Sequence, residues 1–165
     1  FGTSCQSAGE VVREVKRSAR QPILVKLSPN VTDIVSIAKA VESEGADGVS
    51  LINTLLGMRI DLNTRRPILR NNVGGLSGPA VFPVALRMVW QVASAVQIPV
   101  VGMGGIATAE DAIEMMMAGA SAVQVGAANF RDPYAAMKII GGMNAWCEAH
   151  NIQRVRDLTG TVSPW

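Results

Sequence analysis

Glycines at two strand ends make the most pointed chemical suggestion in this sequence. Gly102-Met103-Gly104-Gly105-Ile106 closes one β-branched run, and Val125-Gly126-Ala127-Ala128 closes the next. With no Cβ, glycine lets backbone N–H groups come close to an anion. A helix N-terminus nearby, such as the one expected after Thr108, adds a favourable dipole. Tight turning alone would explain one Gly-Gly pair. Two such stretches after consecutive strands point to a bound phosphate. No G-x-G-x-x-G opens a helix, which disfavours a dinucleotide-binding fold.

Lys26 is the second suggestion, inside Leu24-Val25-Lys26-Leu27. A lysine in an apolar strand is costly to bury unless paired. At a strand's C-terminal end it would face a site mouth, where a fixed cation stabilises electron-rich ring atoms of a cofactor. The competing explanation is an edge lysine reaching out to water. Asn53-Thr54 follows the run Gly48 to Ile52, and an amide there can donate and accept, as a carboxamide or imide edge requires. Asparagine is also an ordinary turn residue. Gly74-Gly75-Leu76-Ser77-Gly78-Pro79 either turns the chain or lies against a flat ligand. The polar loop from Asn53 to Pro79 is long for a compact domain, which favours a functional role. Its Arg59, Arg65, Arg66 and Arg70 are expected to be exposed and could mark a protein interface. No nucleophile–base pair is visible. Cys5 is expected just before the first helix and His150 at the end of the last, both in incidental roles. The two cysteines, Cys5 and Cys147, lack metal-ligand spacing, so no metal site is expected.

The elements that must position these residues alternate. Helices are expected over Ala8–Ala19, Thr32–Glu44, Val81–Val96, Ala109–Ala118 and Pro133–Ala149. Strands are expected over Pro22–Leu27, Gly48–Ile52, Val100–Met103 and Ala122–Val125. Asn30 or Thr32 would cap the second helix and Thr108 the fourth, and Asp132-Pro133 would open the last. Gly45 and Gly119 sit where left-handed residues end helices. Gly45-Ala46-Asp47-Gly48-Val49 resembles Gly119-Ala120-Ser121-Ala122-Val123, and Arg20-Gln21-Pro22-Ile23 resembles Gln97-Ile98-Pro99-Val100. Repeated β/α units imply right-handed crossovers and a parallel sheet. The expected fold is α/β: residues 1–165 as one partial domain, the C-terminal half of a (β/α)8 TIM barrel with about four β/α units. A complete barrel needs roughly 250 residues. Four strands alone would leave two open edges and an exposed apolar face.

Composition narrows the class. The chain has 165 residues, 48% hydrophobic and 17% charged, with a net charge of +2. Basic residues are scattered, and the densest cluster (Arg13, Lys16, Arg17, Arg20) has the spacing of a solvated helix face, so no nucleic-acid partner is expected. No apolar run reaches the roughly 18 residues of a membrane span. Few cysteines and no signal peptide suggest the cytoplasm. The chain opens on Phe1 rather than Met, which suggests a piece of something longer.

Taken in order, Val25-Lys26-Leu27-Ser28-Pro29-Asn30-Val31-Thr32-Asp33-Ile34, Ile52-Asn53-Thr54, Gly74-Gly75-Leu76-Ser77-Gly78-Pro79-Ala80, Gly102-Met103-Gly104-Gly105-Ile106 and Gly119-Ala120-Ser121-Ala122-Val123 with Val125-Gly126 resemble the catalytic subunits of class 1B dihydroorotate dehydrogenases. The likeness runs from Phe1 to the last helix. It implies an FMN-containing barrel oxidising dihydroorotate to orotate in pyrimidine biosynthesis. It implies that Lys26, Ile52, Gly78, Gly104, Gly105, Gly126 and Ala127 touch FMN, and that Asn53 and Thr54 touch the dihydroorotate ring. The family usually has Gly-Thr at Gly126-Ala127. A hydroxyl contact is lost here, worth about 1 kcal/mol of FMN affinity. The family's base, a cysteine, falls in the half not covered, so no catalytic residue is assigned. Hydride would pass to flavin N5, with Lys26 stabilising the reduced ring. The resemblance also implies an iron–sulfur, FAD-bearing partner that passes electrons to NAD, in a homo- or hetero-oligomer. Two alternatives stand beside it: the flavin domain of dihydropyrimidine dehydrogenase, and a non-catalytic, phosphate-binding or self-associating half-barrel.

Overall fold

A computed structural model describes all residues, 1–165. Four short strands form one parallel sheet: β1 (Leu24–Lys26), β2 (Gly48–Leu51), β7 (Val100–Met103) and β8 (Ala122–Gln124), in that spatial order. Each is followed by a helix, namely α2 (Ile34–Ser43), α3 (Phe82–Ala93), α4 (Ala109–Met117) and α6 (Ala135–Ala149), while α1 (Cys5–Ser18) precedes the sheet. Consecutive β/α units thus lie side by side. The fold is α/β with a parallel sheet, as the alternating pattern predicted.

The register places Lys26, Ser50, Val101 and Ala122 in one row across the sheet. Residues of the other parity in the central strands, Val49, Leu51 and Val100, are buried with Ala85, Val89, Ala112 and Met115 of the helices. Toward the opposite face, the edge strands show Leu24 and Lys26 at one margin and Ala122 and Gln124 at the other, all exposed. Helices therefore cover one face of a sheet type that is ordinarily covered on both.

Local chemistry corrects several expected boundaries. Helix α1 begins at Cys5, because the Ser4 hydroxyl accepts from the Ser7 amide and caps it. Helix α2 is capped by Asp33, not Asn30 or Thr32: its carboxylate accepts from the Val35 and Ser36 amides. Helix α6 starts at Ala135 rather than Pro133. Asp132 instead accepts from the Tyr134 amide and pairs with Lys138. A one-turn helix, α5 (Ala128–Arg131), was not foreseen. Thr108 caps α4 as expected, in a full capping box with Asp111. Gly45 and Gly119 have φ of +93° and +117°, conformations a side chain would resist.

The largest correction concerns the loop from Asn53 to Pro79, which is built of ribbons. Strand β3 (Leu55–Gly57) pairs antiparallel with β6 (Gly74–Leu76), and β4 (Ile60–Asp61) with β5 (Arg66–Pro67). Asp61 turns the inner ribbon by accepting from the Asn63 and Thr64 amides, which holds its carboxyl below the usual range. Arg59, Arg65, Arg66 and Arg70 are exposed and unpaired, among exposed Leu56, Met58, Ile60, Leu62 and Ile68.

Candidate functional site

All four strands run the same way, so their C-terminal ends gather at one rim. Lys26 is the last residue of β1, Ile52 follows β2, Met103-Gly104-Gly105 ends β7, and Gln124-Val125-Gly126-Ala127 ends β8. A hollow of about 510 Å³ opens there. Lys26, Ile52, Thr54, Gly78, Gly104, Gly105, Gly126 and Ala127 all line it, so every expected contact residue except Asn53 meets in one place. A second hollow of about 390 Å³ adjoins it, with Ser77, Gly78, Gly105, Ile106 and Ala127 common to both.

The rim is rich in unused donors. The amides of Gly104, Gly105, Ile106, Gly126 and Ala127 find no acceptor in the protein. Backbone N–H groups are obligatory hydrogen-bonding groups, so a cluster left without partners is a recognition surface for an anion or for water. Gly104 and Gly105 can form their turn only as glycine. Their φ values are +122° and +81°, and a Cβ would come within 3.0 Å of Ile52 and Ala85, or of the Phe82 backbone. Gly78 (φ +105°) and Gly126 have open space where a Cβ would go.

At the start of α4 the Ala107 and Thr108 amides donate to the Asp111 carboxylate and the Asp111 amide donates to the Thr108 hydroxyl, so these three amides are not free for an anion. Asn53 is exposed but lines neither hollow; its backbone N–H donates to the Leu27 carbonyl. Cys5 and His150 also line neither. His150 stacks on Trp146 with ring centroids 3.8 Å apart.

Lys26 sits on an edge strand, exposed, yet aimed into the larger hollow. Its exposure suits an edge lysine, and its place in the lining suits a lysine that faces a site mouth. Asn30 was valued only as a helix cap. Its Nδ2 donates to the Thr54 carbonyl at 3.0 Å and its Oδ1 accepts from the Leu56 amide at 3.0 Å. It thereby ties the loop after β1 to the segment carrying Asn53 and Thr54. Ser77, Gln124 and Phe130 also line the larger hollow; Ser77 adjoins Gly78, whereas Gln124 and Phe130 carry no signal in the sequence.

A parallel β/α array with unpartnered glycine amides gathered at its C-terminal rim defines an α/β protein whose rim is suited to an anion. The comparisons narrow that class. A sequence profile described as dihydroorotate dehydrogenase matches residues 1–146. Relatives named "Dihydroorotate dehydrogenase B (NAD(+)), catalytic subunit" are 59% identical in Alkaliphilus oremlandii, 57% in Pelobacter propionicus and 56% in Porphyromonas gingivalis, each over 98% of this chain. The chain belongs to the dihydroorotate dehydrogenase family. It spans about half the length of those relatives, 54% of the first and 53% of the other two. No helix is long and apolar enough to cross a membrane.

Proposed function

We propose that this chain supplies the cofactor-gripping second half of an FMN-dependent dihydroorotate dehydrogenase, which oxidises dihydroorotate to orotate in pyrimidine biosynthesis. The observation that carries this reading is the convergence of Lys26, Ile52, Thr54 and the glycines of three separate loops on one hollow ringed by unpartnered amides. The one-sided sheet supports the architectural part, a half of a (β/α)8 barrel whose open face and edges are covered by the other half.

The residues present fit FMN. The amides of Gly104, Gly105, Gly126 and Ala127 would hold its phosphate, with Ala127 contributing backbone only. Gly78 and Ile52 would lie against the ring, and the Lys26 ammonium would place a positive charge at its electron-rich edge. Asn53 and Thr54 would face the substrate ring. Thr54 is held in place by Asn30, while Asn53 must turn inward from its exposed position. The chemistry FMN supplies when bound is acceptance of the two electrons that leave dihydroorotate. The resemblance places the base that removes the substrate proton, a cysteine, in the half not covered here; Cys5 lines neither hollow. The relatives' names, "catalytic subunit" and "NAD(+)", support a partner subunit and NAD as electron acceptor; that the partner carries an iron–sulfur centre and FAD is what the resemblance implies. A cytoplasmic location fits such an assembly.

The test is to assay the complete protein with dihydroorotate and, separately, with uracil, while recording its visible spectrum. A flavin spectrum with dihydroorotate oxidation is expected. Lys26→Ala is expected to lower turnover at least tenfold, as loss of a preorganised charge does, by about 1.4 kcal/mol or more. Turnover of uracil alone would replace this reading with the dihydropyrimidine dehydrogenase one.

A further inference from the structure

The two hollows form one elongated cleft, joined at Ser77, Gly78, Gly105, Ile106 and Ala127. Its cations are divided between the two hollows: Lys26 lines only the larger, and Arg131 and Lys138 line only the smaller. The two cations of the smaller hollow are not equivalent. Lys138 Nζ lies 2.6 Å from Asp132 Oδ2, so its charge is already answered. Arg131 makes no ion pair and no side-chain hydrogen bond, and it is exposed to whatever enters the hollow. The glycine amides offer only partial charges, and Ala127 adds no hydroxyl. A phosphate monoester carries about −1.5 to −2 charges at neutral pH. Amides alone leave that charge uncompensated, and a guanidinium is the side chain whose planar fork matches phosphate oxygens.

We propose that Arg131 is the side-chain anchor of the cofactor's phosphate, so that this site selects the phosphorylated flavin by charge as well as by backbone amides. This rests on the flavin reading above. Arg131 is a positioning residue here: it neither takes nor gives electrons or protons, and it fixes the end of the ligand remote from the ring.

The test uses the complete protein, stripped of flavin and titrated with FMN and with riboflavin while flavin fluorescence is followed. Arg131→Gln is expected to weaken FMN roughly ten- to a hundredfold, the usual worth of a charged hydrogen bond, with riboflavin affinity unchanged. Arg131→Lys should keep much of the preference for FMN, because it keeps the charge. Rising salt should weaken FMN binding by the native protein more than by Arg131→Gln. Equal losses for both ligands, no loss for FMN, or a preference carried instead by Lys138→Gln would overturn the Arg131 assignment and leave the flavin reading standing. A native protein that binds neither flavin would overturn both.

Discussion

Gly105 and Gly126 are both placed at the phosphate grip, yet substitution should expose two different physical demands. Gly105 has φ +81°, and a Cβ there would sit 2.7 Å from the Phe82 nitrogen. Gly105→Ala is therefore expected to destabilise the fold by about 3 kcal/mol, through left-handed strain and overpacking together. Gly126 meets nothing within 4 Å and has no left-handed φ. Gly126→Ala should leave stability within about 0.5 kcal/mol of native while placing a methyl in the cleft. Urea unfolding and flavin titration of the complete protein separate the two. If Gly126→Ala binds FMN as well as the native protein, Gly126 is not a contact. Asn30 makes a third kind of demand. Asn30→Ala removes two loop-bridging hydrogen bonds, to Thr54 and Leu56. It should cost about 1–2 kcal/mol and speed hydrogen exchange at the Leu56 amide, which loses its acceptor.

At the scale of elements, the parallel β/α order could be read directly from the sequence, because β-branched runs recur between capped, amphipathic stretches. Thr108 carried its capping box in plain view, and Thr108→Ala should cost about 1 kcal/mol by thermal unfolding. The ribbons could not be read in this way. Their strands are only two or three residues long, include Gly74-Gly75 and Pro67, and lack the alternation that marks a strand. The glycines and Lys26 were found because their types are costly in a strand or a turn without a reason. Asn30 and Arg131 were not: Asn30 acts through Thr54 and Leu56, which only folding brings to it, and Arg131 joins the cleft lining only once β8 and α5 are in place. The docking of α1 is similar. Gly9 lets α1 approach Ala40 and Glu44 of the next unit, and two ion pairs follow: Arg13 with Glu44, and Lys16 with Asp47 at 2.6 Å. The Arg13 guanidinium holds the Glu44 carboxyl below its ordinary value. Lys16, followed by the Ile23 amide, does the same for Asp47. Folded values below unfolded ones favour the native state above the ordinary carboxylate range, near pH 4, and that contribution is lost as pH falls through the depressed folded values. The melting temperature should therefore fall between about pH 5 and pH 3, and the double variant Glu44→Gln, Asp47→Asn should fall less over that window.

The whole molecule is governed by the face its helices do not cover. The edge strands β1 and β8 each leave one side unpaired. On that face Leu24 of β1 is 48% exposed and Val101 and Met103 of β7 are half-buried, while Gly48 and Ser50 of β2 are already buried. Unpaired strand edges beside an apolar face are templates for association. The 165-residue chain by itself is thus expected to self-associate or to bind a hydrophobic dye, and to show no dihydroorotate oxidation, because the proposed half-barrel reading puts the base and the second wall of the cleft in the other half. Supplying the preceding half in trans should reverse all three properties: dye binding falls, a single defined species appears on sizing chromatography, and a flavin spectrum develops. Lys26 supplies the internal check. In the isolated chain it is an edge residue free to move in water, whereas in the completed molecule it is walled into the cleft, so its amine should become resistant to acylation only when the other half is present. A chain that is monomeric and dye-free alone, with Lys26 equally reactive in both states, would show that the open face is a finished surface and that the half-barrel reading is wrong.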